Sequence, residues 1–327
     1  RFSNDGSTWT DWTSFAATYN NWTLSSGNGI KTVCMQLKDG GGHISASICD
    51  NITFDNVAPT CSVNINSSAT YTASTGVLLG ISVSDAQNWT PFEIAISNDA
   101  NTSTWESYVA SKSWPLTGGD GLKTVYLRCR DAGGNTSANV VDTITLDTTP
   151  PSSPSISIAG GAVRTASATV SLTLSATDQW TPMSMQFSND NSTWSSWATY
   201  ATSYSGWALT AGDGVKTVWA KFKDAGGNIT TVEIKDTIIL DMTGPSGSVV
   251  INSATAPGPE WSNNALVTLY FTSVSDSWTP IQWRARNESG SWPSTWNNYN
   301  AASPVYSGWT LSEGDGEKTV YVQYKDA

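Results

Sequence analysis

Charge is scarce in this 327-residue chain: 13% of residues are Asp, Glu, Lys or Arg, against the quarter usual in soluble domains. What charge there is leans acidic, 27 acidic against 16 basic residues for a net charge of −11, which argues against the basic footprint that nucleic-acid binding requires. There is one histidine, His43, and only four cysteines. No zinc-ligand spacing, nucleophile elbow or phosphate loop can be assembled from the sequence. No apolar run approaches the roughly 18 residues of a membrane span, and no signal peptide is recognisable. No stretch sustains the 3.6-residue apolar period of an amphipathic helix. These absences weaken the case for an enzyme, a nucleic-acid binder and a helical membrane segment.

What is abundant is Ser, Thr, Asn and Gly, with 17 Trp and 11 Tyr to supply bulky apolar area. One string recurs: GNGIKTVCMQLKDGGGH from Gly27, GDGLKTVYLRCRDAGGN from Gly119, GDGVKTVWAKFKDAGGN from Gly212 and GDGEKTVYVQYKDA from Gly314. Its second glycines, Gly29, Gly121, Gly214 and Gly316, are 92, 93 and 102 residues apart. Solenoid repeats run about 20–50 residues, whereas a step near 93 is the size of a complete sandwich domain of about 100 residues. The chain reads as an array of domains.

The second copy predicts strands at 61–66, 76–85, 92–99, 103–108, 112–116, 123–129 and 138–147, each bounded by turn residues. The loop at 86–91 (AQNWTP) contains Pro91, which cannot donate to a central ladder. DAGGN at 131–135 is rich in residues that tolerate positive φ and predicts a hairpin. Seven short strands with turn signals every 8–12 residues are the mark of a β-sandwich. The boundaries fall at 1–56, 57–148, 149–242 and 243–327. The first copy is expected to lack its first two strands and the last copy its final strand, as in a window on a longer protein.

The combination of DAGGN with DTITLDTTPP at 131–151 resembles the tandem immunoglobulin-like repeats of giant bacterial surface proteins and adhesins. The hairpin motif matches at Asp131–Asn135 and Asp224–Asn228 and departs in the first copy, where His43 stands at the Asn position. The junction motif matches at Asp147 and more loosely at Asp241 and Asp55. The resemblance covers nearly the whole chain. It implies an all-β tandem array of seven-stranded sandwiches, an extracellular or cell-surface location, and partners that are neighbouring domains, further copies in a fibre, or surface glycans.

In such a sandwich the end of one repeat's last strand meets the first loop and the last hairpin of the next. Asp55 then approaches Asp85 and Asp131, Asp147 approaches Asp178 and Asp224, and Asp241 approaches Asp276 and Asp326. Converging carboxylates repel unless neutralised, and hard oxygen ligands suit Ca²⁺; the resemblance also implies calcium at these junctions. The other reading is that each Asp caps a turn and stays solvated. Asp5, Asp99 and Asp190 in the recurring Ser-Asn-Asp are expected to accept turn N–H groups.

Cys34 and Cys49 are equidistant from the centre of the turn at 40–43 and are expected to face outward together, with Val33, Met35 and Leu37 inward. Cys61 and Cys129 are expected inward on the first and sixth strands of their domain. Both pairs read as disulfides of an oxidising compartment, although four cysteines allow three pairings and buried thiols are the alternative. Trp89, Trp180 and Trp278 recur in the Trp-Thr-Pro loops, Trp9, Trp105, Trp194 and Trp292 end the third-strand hairpin, and Trp22, Trp114, Trp207 and Trp309 are expected to begin the fifth strand; all of these recurring Trp are expected in core or cross-strand packing. Tyr126, Trp219 and Tyr321 fall on an outward position where a sugar ring could stack, which supports a carbohydrate- or receptor-binding module as the second reading. Nine Asn-x-Ser/Thr sequons occur, with Asn135 and Asn228 expected at an accessible hairpin apex.

Overall fold

The computed structural model describes residues 1–86, 88–252 and 261–326. Gln87 of the AQNWTP loop lies outside the described residues, as do 253–260 and Ala327 of the fourth domain. The chain divides into two compact units. One comprises Arg1–Pro150 with Asp178–Pro182 and Lys223–Ile229; the other comprises Pro151–Thr177, Met183–Phe222 and Thr230–Ala327.

The first unit begins with β1 (Phe2–Ser3), β2 (Gly29–Met35) and β3 (Ile48–Phe54), one antiparallel sheet in that order. Eight strands follow: β4 (Thr60–Ile65), β5 (Tyr71–Thr72), β6 (Gly76–Ser84), β7 (Glu93–Ser97), β8 (Trp105–Ser107), β9 (Ser111–Pro115), β10 (Gly121–Arg130) and β11 (Val140–Leu146). They form a three-stranded sheet β4-β6-β9 and a five-stranded sheet β5-β11-β10-β7-β8. Period-2 alternation faces the two sheets toward each other: Ile65, Leu79, Ile94, Val125, Leu127, Cys129 and Ile144 are sealed in one core. The expected strands are all present. The structure adds β5, a two-residue strand parallel to β11 with Thr145 opposite Tyr71.

The second unit repeats this plan. Strands β12 (Ser152–Ile158), β13 (Arg164–Thr165), β14 (Thr169–Thr177), β15 (Ser184–Ser188), β16 (Ala198–Thr199), β17 (Ser203–Ala208), β18 (Gly214–Lys223) and β19 (Ile234–Leu240) form sheets β12-β14-β17 and β13-β19-β18-β15-β16. Phe187, Phe222, Leu172 and Ile238 lie in their core. Then β20 (Ser246–Ile251), β21 (Leu266–Ser275), β22 (Ile281–Asn287), β23 (Asn297–Asn298), β24 (Val305–Thr310) and β25 (Val320–Asp326) form sheets β20-β21-β24 and β23-β22-β25 around Phe271 and Trp283.

The opening motif now has a backbone explanation. Gly27, Gly119, Gly212 and Gly314 have φ of +77° to +90°, and Gly29, Gly121, Gly214 and Gly316 have φ of +122° to +128°. Both glycines of each Gly-x-Gly therefore sit where an L side chain is strained. The Ser-Asn-Asp motif is equally local. Asp5 Oδ1 accepts from the N–H groups of Ser7 and Thr8, and Asp190 Oδ1 from Ser192 and Thr193. The Asn between Ser and Asp, and Asn287 between Arg286 and Glu288 in the fourth copy, do something the sequence did not advertise: each accepts from a Trp indole, Trp22→Asn4 at 2.7 Å, Trp114→Asn98 at 2.8 Å, Trp207→Asn189 at 2.9 Å and Trp309→Asn287 at 2.9 Å. Its Nδ2 donates in turn to the carbonyl of the residue following the Trp, as Asn189 does to Ala208. These Trp do not begin the fifth strand as expected: Trp114, Trp207 and Trp309 lie one residue from its end, and Trp22 lies in no strand. Pairing with the second strand starts earlier, with Gly80 already opposite Ser111.

Both disulfides are present, with Cα–Cα separations of 4.0 Å for Cys34–Cys49 and 6.2 Å for Cys61–Cys129. The first is shorter than the usual 4.4–6.8 Å range because its partners stand directly opposite in the β2–β3 register. One expectation fails here. Cys34 is buried and Leu37 exposed, the reverse of the predicted facing. A carbon placed at Gly6 would lie 3.9 Å from the Cys34 sulfur, so the Ser-Asn-Asp-Gly turn covers that side, while Val33 and Met35 on the other face are only half-buried.

Candidate metal centres

Each junction Asp is placed by strand ends and turns. Asp147 follows β11 directly, and its N–H donates to the carbonyl of Thr72 in β5. Asp178 follows β14, where its Oδ1 accepts from Trp180 N at 2.7 Å. Asp224 heads the hairpin after β18, where its Oδ1 accepts from Gly227 N at 2.7 Å and Asn228 N at 2.9 Å. Turn capping and convergence therefore occur together: each carboxylate spends Oδ1 on its own turn. Asp55 does the same, accepting from Val57 N, and Asp131 from Asn135 N.

Two of the three expected clusters form. Asp55, Asp85 and Asp131 each present a ligand atom within 4.8 Å of the other two, as do Asp147, Asp178 and Asp224. One ion with Ca–O distances of about 2.3–2.6 Å spans oxygens up to about 5 Å apart, so each triad can share one cation. The third set is looser. Asp276 and Asp326 are near enough to raise the pKa of Asp241, after burial as the first cause, yet the trio is not within that mutual distance among the described residues.

The Asp147 cluster carries the decisive detail. Asp147 is 1% exposed, and its Oδ2 is buried with no hydrogen-bond partner. Burial pushes its carboxyl up from the ordinary value, with further contributions from Asp224, Asp178 and Asp120. A buried carboxylate oxygen among like charges is costly unless a proton or cation meets it, and the all-oxygen donor set fits a hard cation. Asp55 Oδ2 and Asp241 Oδ1 are likewise buried without a partner.

The hairpins are shaped to receive the preceding Asp. Asn228 Nδ2 donates to the carbonyl of Asp147 at 2.7 Å and to Asp224 Oδ2 at 3.0 Å; Asn135 Nδ2 does the same to Asp55 O and Asp131 Oδ2. A Cβ at Gly226 would stand 2.9 Å from the Asp147 carbonyl, so only glycine lets it approach. This corrects the expectation for the two hairpin sequons: both amide hydrogens of Asn135 and Asn228 are engaged, and the side chains are half-buried rather than presented at an accessible apex.

Trp9, Trp105, Trp194 and Trp292 pack across strands, but against cations. Arg1 lies over Trp9 and Trp12, Arg130 over Trp105, Lys221 over Trp194, and Arg284 over Trp292 and Trp296. Of the candidate stacking residues, Tyr126 is half-buried in β10, Trp219 donates to Glu233 at 3.0 Å, and Tyr321 has the Arg286 guanidinium 4.7 Å from its ring.

Three-stranded sheets facing five-stranded ones, with a short early strand crossing to run parallel to the last, decide the architecture. The chain is a tandem array of immunoglobulin-like β-sandwiches. No protein-family model and no curated protein matches this array. Among solved structures it is similar to fibronectin(III)-like modules of Clostridium thermocellum CbhA, with 14% identity and a TM-score of 0.38 over 54% of this chain and 93% of that one. It is similar also to a tetra-tandem repeat in the extending region of a large adhesion protein, at 20% identity and 0.27 over 91% and 79%. A Ca²⁺-stabilized adhesin with which an Antarctic bacterium binds ice gives 14% and 0.38 over 91% and 81%. No helix among the described residues is long and apolar enough to cross a membrane.

Proposed function

We infer that the chain is a structural repeat region of an extracellular surface protein, a stalk, adhesin or fibre segment, built from modules at 1–56, 57–148, 149–242 and 243–327. Its task is to extend, and calcium at the module junctions fixes the geometry of extension. The observation that carries this reading is Asp147: a fully buried carboxylate at the end of one module, with an oxygen lacking any partner, set within 4.8 Å of carboxylates from the start and the last hairpin of the next. Asp147, Asp178 and Asp224 would hold one ion and Asp55, Asp85 and Asp131 another; Asp241, Asp276 and Asp326 are proposed to close on a third. A bound ion would couple two modules, because neither alone supplies the full ligand set.

The same surface offers little to a glycan. One face of Tyr321 carries the Arg286 guanidinium and Trp219 is tied to Glu233, so the extending role is preferred over sugar stacking. Calorimetric titration of the whole chain with CaCl₂, paired with limited proteolysis at residues 148–151, tests the reading. Calcium is expected to bind and to protect the linker. Absence of binding, or binding that leaves cleavage at 148–151 unchanged, would overturn it.

A further inference from the structure

The Gly-x-Gly turn carries a side chain as well as a backbone conformation. Its middle residue is Asn28 in the first copy, Asp120 in the second and Asp213 in the third. Asp120 Oδ1 accepts from Thr148 N at 2.9 Å and Thr148 Oγ1 at 2.8 Å, and its Oδ2 accepts from Thr149 Oγ1 at 2.7 Å. The carboxylate is thereby fastened to the two residues that follow Asp147, and its charge acts on Asp147. The third copy repeats the device: Asp213 Oδ1 accepts from Met242 N at 2.9 Å, and Asp213 acts on Asp241.

The first copy departs. Asn28 is neutral, and its Nδ2 donates to Asp55 Oδ1 at 3.0 Å, an oxygen that also accepts from Val57 N at 3.1 Å. The Asp55 cluster thus has three negative charges and a neutral neighbour, with Asp55 Oδ1 drawn into two hydrogen bonds. The Asp147 cluster has a fourth carboxylate beside it, that of Asp120, whose charge acts on Asp147; Oδ2 is buried without a partner in both Asp55 and Asp147, so the two clusters differ in the charge of this neighbour. Cation affinity of an oxygen site rises with the charge gathered around it, and nearby groups that orient the ligands tune it further.

We propose that the middle residue of each Gly-x-Gly turn sets how tightly the adjoining carboxylate cluster takes a divalent cation, so that the Asp147 cluster fills at lower calcium than the Asp55 cluster. The proposal rests on the calcium reading above. Its consequence is graded: over an intermediate calcium range the linker after Asp147 is held while the one after Asp55 is not.

The test is calorimetric titration of the full chain with CaCl₂, comparing it with Asn28→Asp and Asp120→Asn. The unaltered chain should show a tight and a weak phase separated about tenfold, by the dependence on charge count. Asp120→Asn should weaken the tight phase by a similar factor and leave the weak one; Asn28→Asp should tighten the weak phase alone. Asp120→Asn keeps an acceptor oxygen for the linker. Asn28→Asp only installs the residue found in the other copies, so it remains informative if Asp120→Asn unfolds. A single affinity for all sites, or variants that leave both phases in place, overturns this inference while the calcium reading stands. No calcium binding at all removes both.

Discussion

One asparagine in each repeat accepts from an indole and donates to the carbonyl of the residue beyond it, and in three of the four places this pins the end of a strand, β9, β17 or β24. Asn189→Ala would strand both the Trp207 N–H and the Ala208 carbonyl, at a cost of about 1–3 kcal/mol. A lower denaturant midpoint at unchanged slope would report it. Asn189→Asp keeps the acceptor and should lose less. The acidic residues divide by sign. Turn N–H groups and Ser188 hold Asp190 well below the ordinary carboxylate value of 3.8, so its contribution is present above that value and lost as pH falls through the lowered one. Asp147 is the opposite case. Burial first, then Asp224, Asp178 and Asp120, raise its folded pKa above 3.8. Its contribution is therefore full below 3.8 and lost as pH rises through the raised value. In calcium-free buffer Asp147→Asn should remove that loss, stabilising the chain at neutral pH and flattening its pH profile, while abolishing calcium binding at this cluster. A neutral-pH melting temperature that falls in calcium-free buffer would contradict this.

Among the elements, the hairpin Asp224–Asn228 shows how a turn becomes a receptor for the module before it. Gly226→Ala places a carbon 2.9 Å from the Asp147 carbonyl. The hairpin and Asp147 must separate, and calcium affinity at that cluster should drop about tenfold, as for disrupted outer-shell groups. The equivalent approach at Gly133 leaves 3.5 Å to the Asp55 carbonyl, so Gly133→Ala should be milder there, and paired titrations of the two variants check the contrast. Most strands were legible, because alternation in GVLLGISVS or GLKTVYLRC is itself the imprint of a two-sheet core. The two-residue strands β5 and β13 were not, since their parallel pairing with β11 and β19 is made of backbone bonds that two residues cannot announce. The carboxylate triads were legible from the repeat order and the expected ends of the strands. The Asn–Trp pins and the cation stacks on Trp were not: each joins residues distant in sequence, and a lone Asn or Arg reads the same in a loop as in a bond. The inverted facing of Cys34 had a similar cause, since its cover comes from a turn almost thirty residues earlier.

For the molecule as a whole, the proposed calcium ligation would join each module to the next. Chelation should therefore raise protease cleavage at residues 148–151 and leave the β-sheet circular dichroism unchanged; equal cleavage rates with and without chelator would count against the junction role. One covalent feature bears on what happens when such a chain is pulled. Cys61 on β4 and Cys129 on β10 are 68 residues apart in sequence, with β6, β7 and β9 between them along the chain, although their Cα atoms are only 6.2 Å apart. Tension entering at either linker reaches the bridge before it reaches β6, β7 or β9. At about 3.3–3.6 Å per extended residue, the bridge withholds roughly 230 Å of contour length that rupture of this sandwich would otherwise release. The sandwich of β12–β19 has no cysteine and would pay out in full. Single-molecule extension should then show unequal steps along the chain, with the short one lengthening under reductant, and the disulfide acting as a stop that keeps a stretched tether from running out at its second link.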